Sequence, residues 1–358
     1  MKPTQQLHEL GQSLWLDNIT RDMLADGTLR RYIDELSVTG LTSNPTIFDK
    51  AITGGDAYDE ELSALTDEGN APEETFFELA LTDLRDAAKM FEPVHERTDR
   101  VDGFVSLEVS PLLADDADAT IAQAAELHER AACNIYIKIP GTDAGRRAIE
   151  DSIFAGVPIN VTLLFSTDQY LGSADAFMRG IERRIEAGLD PDIPSVASVF
   201  VSRWDVAVGD AVPTELRNRL GIAVAQRAYR AYRELLDSPR WQRLANEGAR
   251  PQRLLFASTG TKDPQASDVL YVEALAAPFT INTMPDKTLV AFADHGEVGD
   301  PLPADGGDAD EVLAKFREHG IEEEQLTARL QEEGAEAFVK SWRDLLDSIA
   351  SEAQRLAA

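Results

Sequence analysis

The strongest constraint on the fold is a series of eight short β-branched runs with helical patterns between them. The runs cover residues 13–17, 38–44, 103–109, 134–140, 158–165, 195–202, 253–258 and 279–284. Most are apolar on both faces, which is typical of parallel strands between a packed interior and an outer layer of helices. Eight such βα units predict an α/β fold, a (β/α)8 or TIM barrel.

The chain has 358 residues, about 100 more than a barrel of about 250 residues needs. One barrel with extra helices therefore competes with two domains. We predict a barrel domain over residues 1–296, followed by an acidic linker and C-terminal helices over 297–358. The C-terminal segment has an apolar stripe at helical spacing, formed by Leu326, Leu330, Phe338, Trp342, Leu345, Leu346 and Ile349. Packing of this stripe on the barrel is the favoured interpretation, and a dimer seam is the alternative.

Composition excludes several classes of protein. With 34 Lys and Arg against 64 Asp and Glu, the net charge of −30 repels nucleic-acid backbones. Cys133 is the one cysteine, so neither an intrachain disulfide nor a thiolate metal cluster can form, which suits a reducing cytoplasm. The first residues lack the apolar core of a signal peptide, and no apolar run reaches about 18 residues. We therefore expect a cytoplasmic protein that binds no membrane.

Polar side chains stand at or near the carboxyl ends of seven predicted strands. TIM-barrel active sites gather at these ends, because the loops that follow the strands meet there. Any one of these residues could be a turn or cap residue. A set that converges on one end is harder to explain in that way: Asp17, Asn44, Glu108, Lys138, Asn160, Thr162, Ser198 and Ser258.

Lys138 is the sharpest signal, because it interrupts the apolar run IYIKIP. A charged ammonium in such a run loses several kcal/mol of solvation unless it is paired or neutralised. A structural ion pair to Glu108 or Asp17 is one explanation. The other is a neutral amine that attacks a carbonyl and forms a Schiff base. With acids on neighbouring strands, that is the equipment of a class I aldolase.

The segments VTGLTSNPTIFDKAI around Asn44 and NIYIKIPGTDAGRRAI around Lys138 resemble the two signatures of the transaldolases. The resemblance extends to LWLDNI, SLEVSP, NVTLLFS, SVFVSRWD and ASTGTKDP, in the same order, from about residue 10 to residue 295. The spacing is similar to that of the longer bacterial members, which have helical additions at the carboxyl end. The resemblance implies a transferase of the pentose phosphate pathway, and thus of carbohydrate metabolism.

The resemblance also implies roles for the catalytic residues. Lys138 would condense with the C2 carbonyl of a ketose phosphate, and Asp17 would take the C4 hydroxyl proton. Glu108 and Thr162 would hold a water that shuttles protons while the Schiff base forms.

Substrate-binding residues follow in the same way. Asn44 and Asn160 would bind the dihydroxyacetone fragment by hydrogen bonds. Ser198 and Arg203 match the phosphate-binding set, to which we add Ser258 and Lys262. Shorter members have an arginine soon after the seventh-strand serine, and here Lys262 can serve phosphate as a point charge. Phe200, two residues beyond Ser198, should present an apolar ring on the same strand face.

The implied reaction exchanges fructose 6-phosphate and erythrose 4-phosphate with sedoheptulose 7-phosphate and glyceraldehyde 3-phosphate. No cofactor is expected, and the histidines lack the spacing of a metal site. The chain is expected to act as a monomer or homodimer. A free class I aldolase, such as a fructose-6-phosphate aldolase, remains the main alternative. A non-catalytic binding barrel is disfavoured because Lys138, Asp17, Glu108 and Thr162 are all present.

Overall fold

The computed structural model describes residues 1–357, with position 210 described by its backbone alone. Its eight strands coincide with the eight predicted runs. The predicted runs extend one or two residues beyond the ends of most of these strands. The strands are β1 (Ser13–Asp17), β2 (Val38–Thr42), β3 (Val105–Glu108), β4 (Ile135–Pro140), β5 (Ile159–Leu164), β6 (Ser195–Phe200), β7 (Arg253–Ala257) and β8 (Ile281–Met284).

All strand pairs are parallel, in the order β2-β1-β8-β7-β6-β5-β4-β3. The two end strands approach each other and close the barrel. The Leu41 amide donates to the Phe104 carbonyl at 3.0 Å, and the Gly103 amide donates to the Thr39 carbonyl at 2.9 Å. The predicted (β/α)8 barrel is therefore confirmed.

Alternate residues of each strand face the barrel interior, where they form layers. An aromatic layer includes Trp15 and Tyr136, whose ring centroids are 6.1 Å apart, and Phe104, which stacks on Tyr136 at 4.2 Å. Two residues further along, Asp17 follows Trp15 and Lys138 follows Tyr136 on the same faces. The aromatic layer thus forms the floor beneath the charged residues at the carboxyl ends.

Helices surround the barrel. They are α1 (Pro3–Glu9), α2 (Arg21–Ala25), α3 (Thr28–Leu36), α4 (Pro45–Thr53), α5 (Asp59–Asp67), α6 (Pro72–Arg97), α7 (Ala117–Arg130), α8 (Asp143–Ala155), α9 (Thr167–Glu186), α10 (Ser202–Val208), α11 (Leu220–Asp237), α12 (Pro239–Asn246), α13 (Leu270–Ala274), α14 (Asp286–His295), α15 (Ala309–Glu318) and α16 (Glu323–Leu356). In the part of the chain that the structure describes, no helix has the length and apolarity needed to cross a membrane.

The termini of α8 show how the sequence sets these boundaries. The Thr142 hydroxyl accepts a hydrogen bond from the Gly145 amide at 3.0 Å and caps the first turn. Gly156 ends the helix with φ +94°, a left-handed conformation that glycine adopts without steric cost. The chain then enters β5 after Pro158.

Helix α16 packs against α4, α5 and α6, and it also reaches β5. Its Trp342 ring lies 5.0 Å from that of Phe76 and 5.6 Å from that of Phe77, both on α6. Trp342, Leu345 and Ile349 are buried. The apolar stripe predicted from sequence is therefore largely covered within this chain.

Candidate active site

Lys138 lies at the end of β4 with its ammonium group inside the barrel mouth. Nζ donates to the Ser43 carbonyl at 3.0 Å and to Glu108 Oε2 at 3.3 Å. Lys138 is 6 % exposed and Glu108 is 7 % exposed. The Phe338 ring centroid is 5.9 Å from Nζ. The lysine is thus buried, paired to one carboxylate, and in contact with a cavity at the carboxyl ends of the strands.

Two acids flank this lysine. Burial raises the pKa of Asp17, although the nearby Lys138 charge and a hydrogen bond from Thr42 partly offset this effect. Burial also raises the pKa of Glu108, and the charge of Lys138 again opposes the increase. The Thr42 hydroxyl donates to Asp17 Oδ1 at 3.0 Å. Both carboxyl groups therefore hold a proton more readily than a solvated acid, as a proton-transfer site requires.

The two amide side chains that the sequence predicts to bind substrate differ in whether they are free to contact a ligand. Asn44 caps α4, since its Oδ1 accepts from the Ile47 amide at 3.1 Å, and the residue lines the cavity. This leaves its Nδ2 group for a ligand. Asn160 is fully buried, where it accepts from Ser198 Oγ at 2.8 Å and donates to Ser106 Oγ at 3.1 Å. It lies behind Ser198 and is not among the residues that line the cavity.

The residues that the sequence predicts to bind phosphate also line the cavity. The Arg203 guanidinium carbon lies 5.2 Å from the centroid of the Phe200 ring. Burial lowers the pKa of Arg203, and none of the described carboxylates forms an ion pair with it. Asp205 instead accepts from the Leu220 amide at 2.9 Å and the Tyr271 hydroxyl at 2.9 Å. The positive charge of Arg203 is therefore left for a ligand.

Ser258 and Lys262 follow β7. The Ser258 and Ser202 hydroxyls are 2.9 Å apart, and Ser258 has φ +56°, an uncommon conformation for a residue with a side chain. The charge of Lys262 is close enough to Asp17 to oppose the increase in its pKa that burial causes. Both residues line the cavity, so the seventh-strand loop faces the same space as Lys138.

These residues enclose a cavity of about 450 Å³ at the carboxyl ends of the strands. Most of the predicted site residues line it, namely Asp17, Asn44, Lys138, Thr162, Ser198, Phe200, Arg203, Ser258 and Lys262. Glu108 reaches it through its contact with Lys138. Three of the eight lysines of the chain line the cavity, although the protein carries a net charge of −30. The local excess of cations suits an anionic ligand.

Sequence reasoning missed several lining residues. Thr42 and Lys50 come from the second βα unit, and Ala337, Phe338 and Ser341 come from α16. The α16 stripe included Phe338 only as an apolar packing residue. Because Phe338 does not coincide with a strand end, local pattern could not associate it with the site. Within the described residues, no cluster of three or more His, Cys, Asp or Glu side chains is arranged to hold a metal ion.

Comparison with known proteins finds similar sequences over nearly the whole chain. The sequence model of the transaldolase/fructose-6-phosphate aldolase family matches residues 14–349. A transaldolase of Thermobifida fusca is 45 % identical over 99 % of both chains, and one of Parafrankia is 44 % identical over 97 % of both. A protein named transaldolase 2 of Streptomyces coelicolor is 42 % identical over 99 % of this chain and 98 % of its own.

Proposed function

The chain belongs to the transaldolase/fructose-6-phosphate aldolase family, and we propose that it acts as a transaldolase through a Schiff base on Lys138. The donor would be fructose 6-phosphate or sedoheptulose 7-phosphate, and the acceptor an aldose phosphate. One observation carries this proposal. Lys138 Nζ is buried 3.3 Å from Glu108, beside a cavity that Asp17 also lines.

In the first half-reaction, the Lys138 ammonium passes a proton to Glu108, its partner at 3.3 Å, and the neutral amine then attacks C2 of the ketose and forms a carbinolamine. Glu108 and Thr162 hold a water that delivers a proton to the departing C2 hydroxyl, and loss of water leaves the iminium ion. The raised pKa of Glu108 supports this role, because the group can carry the proton that it passes to the water.

Asp17 then accepts the C4 hydroxyl proton. The C3–C4 bond breaks, its electron pair moves into the iminium group, and an aldose phosphate leaves with a new aldehyde. The enamine of dihydroxyacetone remains on Lys138. In the second half-reaction, C3 of the enamine attacks the aldehyde carbon of an acceptor, and Asp17 returns the proton to its oxygen. Hydrolysis of the resulting iminium ion releases the new ketose phosphate.

The Phe200 ring bears on the choice between a transaldolase and a free aldolase. It is 8 % exposed, packs on Phe165 at 5.4 Å between ring centroids, and lies beneath Arg203. An apolar ring there neither orients nor activates a water that could protonate the enamine. The enamine would therefore persist until an acceptor arrives. The names of the relatives favour the same assignment.

The experiment is to incubate the protein with fructose 6-phosphate alone and follow free dihydroxyacetone. We expect release far slower than turnover with erythrose 4-phosphate present. Phe200→Tyr should increase release, because its hydroxyl can orient a water near the enamine. Sustained release by the unchanged protein, at the rate seen with an acceptor, would assign it as a free aldolase instead.

A further inference from the structure

The backbone beside Thr162 has an uncommon conformation. Leu163 has φ +59°, a left-handed conformation that is sterically costly for a leucine, and it lies within β5 directly after Thr162. The register between β5 and β6 also shifts between Val161 and Leu164. Such a conformation persists only where surrounding contacts impose it.

A side chain from α16 supplies one of these contacts. Gln331 Nε2 donates to the Leu163 carbonyl at 3.0 Å and to the Gly141 carbonyl at 3.3 Å. The Gly141 amide in turn donates to the Thr162 carbonyl at 2.8 Å. Gln331 therefore connects the ends of β4 and β5, and the residues it holds lie on both sides of the Thr162 peptide.

The close approach of α16 depends on Gly334, one turn after Gln331. A Cβ atom at this position would lie 3.1 Å from Leu163 Cδ2 and 3.3 Å from Arg203 Nη1. The same helix face continues to Phe338, whose ring lies over Lys138. The Gln331 contacts thus belong to a face of α16 that meets the catalytic cavity.

We propose that Gln331 is a positioning residue for Thr162. By holding the Leu163 carbonyl, it stabilises the left-handed turn that directs the Thr162 hydroxyl toward the water between Thr162 and Glu108. The inference rests on the proposed function, in which that water serves the formation and dehydration of the carbinolamine. Loss of the amide donor would let the turn relax and displace the hydroxyl.

The test is a double-mutant cycle with Gln331→Met and Thr162→Val. Gln331→Met keeps the length of the side chain but removes the donor. We expect kcat to fall about 10-fold while KM stays within about twofold, since a small displacement of a catalytic group mainly slows the chemical step. The rate of borohydride-trapped Schiff-base formation should fall in parallel. The double variant should be no slower than Thr162→Val alone, because Gln331 acts through Thr162.

Gln325→Met is the matched control, since it makes the same change at an exposed position of α16 and should leave kcat unchanged. Circular dichroism verifies the fold of each variant. If Gln331→Met does not fold, Gln331→Glu repeats the cycle, because it also removes the donor at the same length.

The outcomes separate the two proposals. One outcome is that Thr162→Val lowers kcat and that the loss in the double variant equals the product of the two single losses. That result would overturn the role of Gln331 and leave the proposed function intact. Full activity of Thr162→Val would remove Thr162 from the mechanism, and the role of Gln331 would fall with it.

Discussion

The two ends of the barrel carry cavities of similar size but different character. The cavity at the carboxyl end measures about 450 Å³ and contains Lys138, whereas one at the amino end measures about 480 Å³. The amino-end cavity is lined by Tyr136, Tyr232 and Phe279, with Arg253 and Asp102 among its polar residues. Volume alone therefore does not distinguish the candidate active site.

The difference lies in how the charged groups are paired. Asp102 accepts from Trp15 Nε1 at 2.8 Å and from the Gly103 amide at 3.1 Å, and it also accepts from the Ser13 hydroxyl. Arg253 lies 3.7 Å from the same carboxylate. At the carboxyl end, by contrast, Arg203 has no ion-pair partner among the described side chains. A charged group whose partners all lie within the protein contributes to stability, whereas a charged group without an ion-pair partner can bind a ligand.

Replacement of Lys138 should give the largest effect. Lys138→Ala should lower turnover by at least about 10⁴-fold, since it removes the nucleophile. The fold should persist, because Glu108, whose pKa burial already raises, can protonate once its partner is gone. Borohydride trapping with fructose 6-phosphate, followed by peptide mapping, measures this. Lys50 and Lys262 line the same cavity and are internal controls. An adduct on either in the unchanged protein would contradict the role of Lys138.

At the amino end, the expected effect is on stability. Asp102→Asn should lower the free energy of unfolding by about 2–4 kcal/mol, because it weakens several buried hydrogen bonds and leaves Arg253 unpaired. Denaturant unfolding measures the change. Activity per folded molecule should remain near that of the unchanged protein. A selective loss of kcat in the folded variant would show that the amino end also contributes to the chemistry.

Arg203→Ala should raise KM for phosphorylated ketoses about 10- to 100-fold with a small change in kcat, since a contact remote from the breaking bond mainly supplies uniform binding. Steady-state kinetics with fructose 6-phosphate measure the effect, and unphosphorylated fructose is the control, whose weak turnover should not change. Equal penalties on both substrates would make Arg203 a structural residue.

The smallest effect concerns the pH profile. Asp17 must be ionised to accept a proton, so activity should fall as pH falls through its pKa, which burial raises above the ordinary value of 3.8. The Lys262 charge favours the ionised form. Lys262→Met should therefore raise the pKa of Asp17 further and move the acid limb of kcat to higher pH. Lys50→Met, which removes another cavity cation, is the control. A limb that moves equally in both variants, or moves to lower pH in Lys262→Met, would refute this coupling.

Much of the barrel and of the site could be predicted from local pattern. Strands that are apolar on both faces with helices between them specify βα units, and parallel closure then brings their carboxyl ends together. The position of Lys138 within IYIKIP indicated a functional residue, because an ammonium group in an apolar strand loses solvation free energy unless it is paired or neutralised. The family resemblance supplied the substrates and residue roles, which neither periodicity nor spacing could provide.

What the sequence by itself determined was the set of strands, the boundaries of helices such as α8, and the residues that converge at one end of the barrel. The tertiary structure decided which of those residues are free. Asn160 is occupied by Ser198 and Ser106, whereas Arg203 is not paired to Asp205. The tertiary structure also brings Gln331 to the Gly141 carbonyl, although the two residues are 190 positions apart in the sequence. Such contacts depend on how distant elements pack, and a local pattern of polar and apolar residues does not specify them.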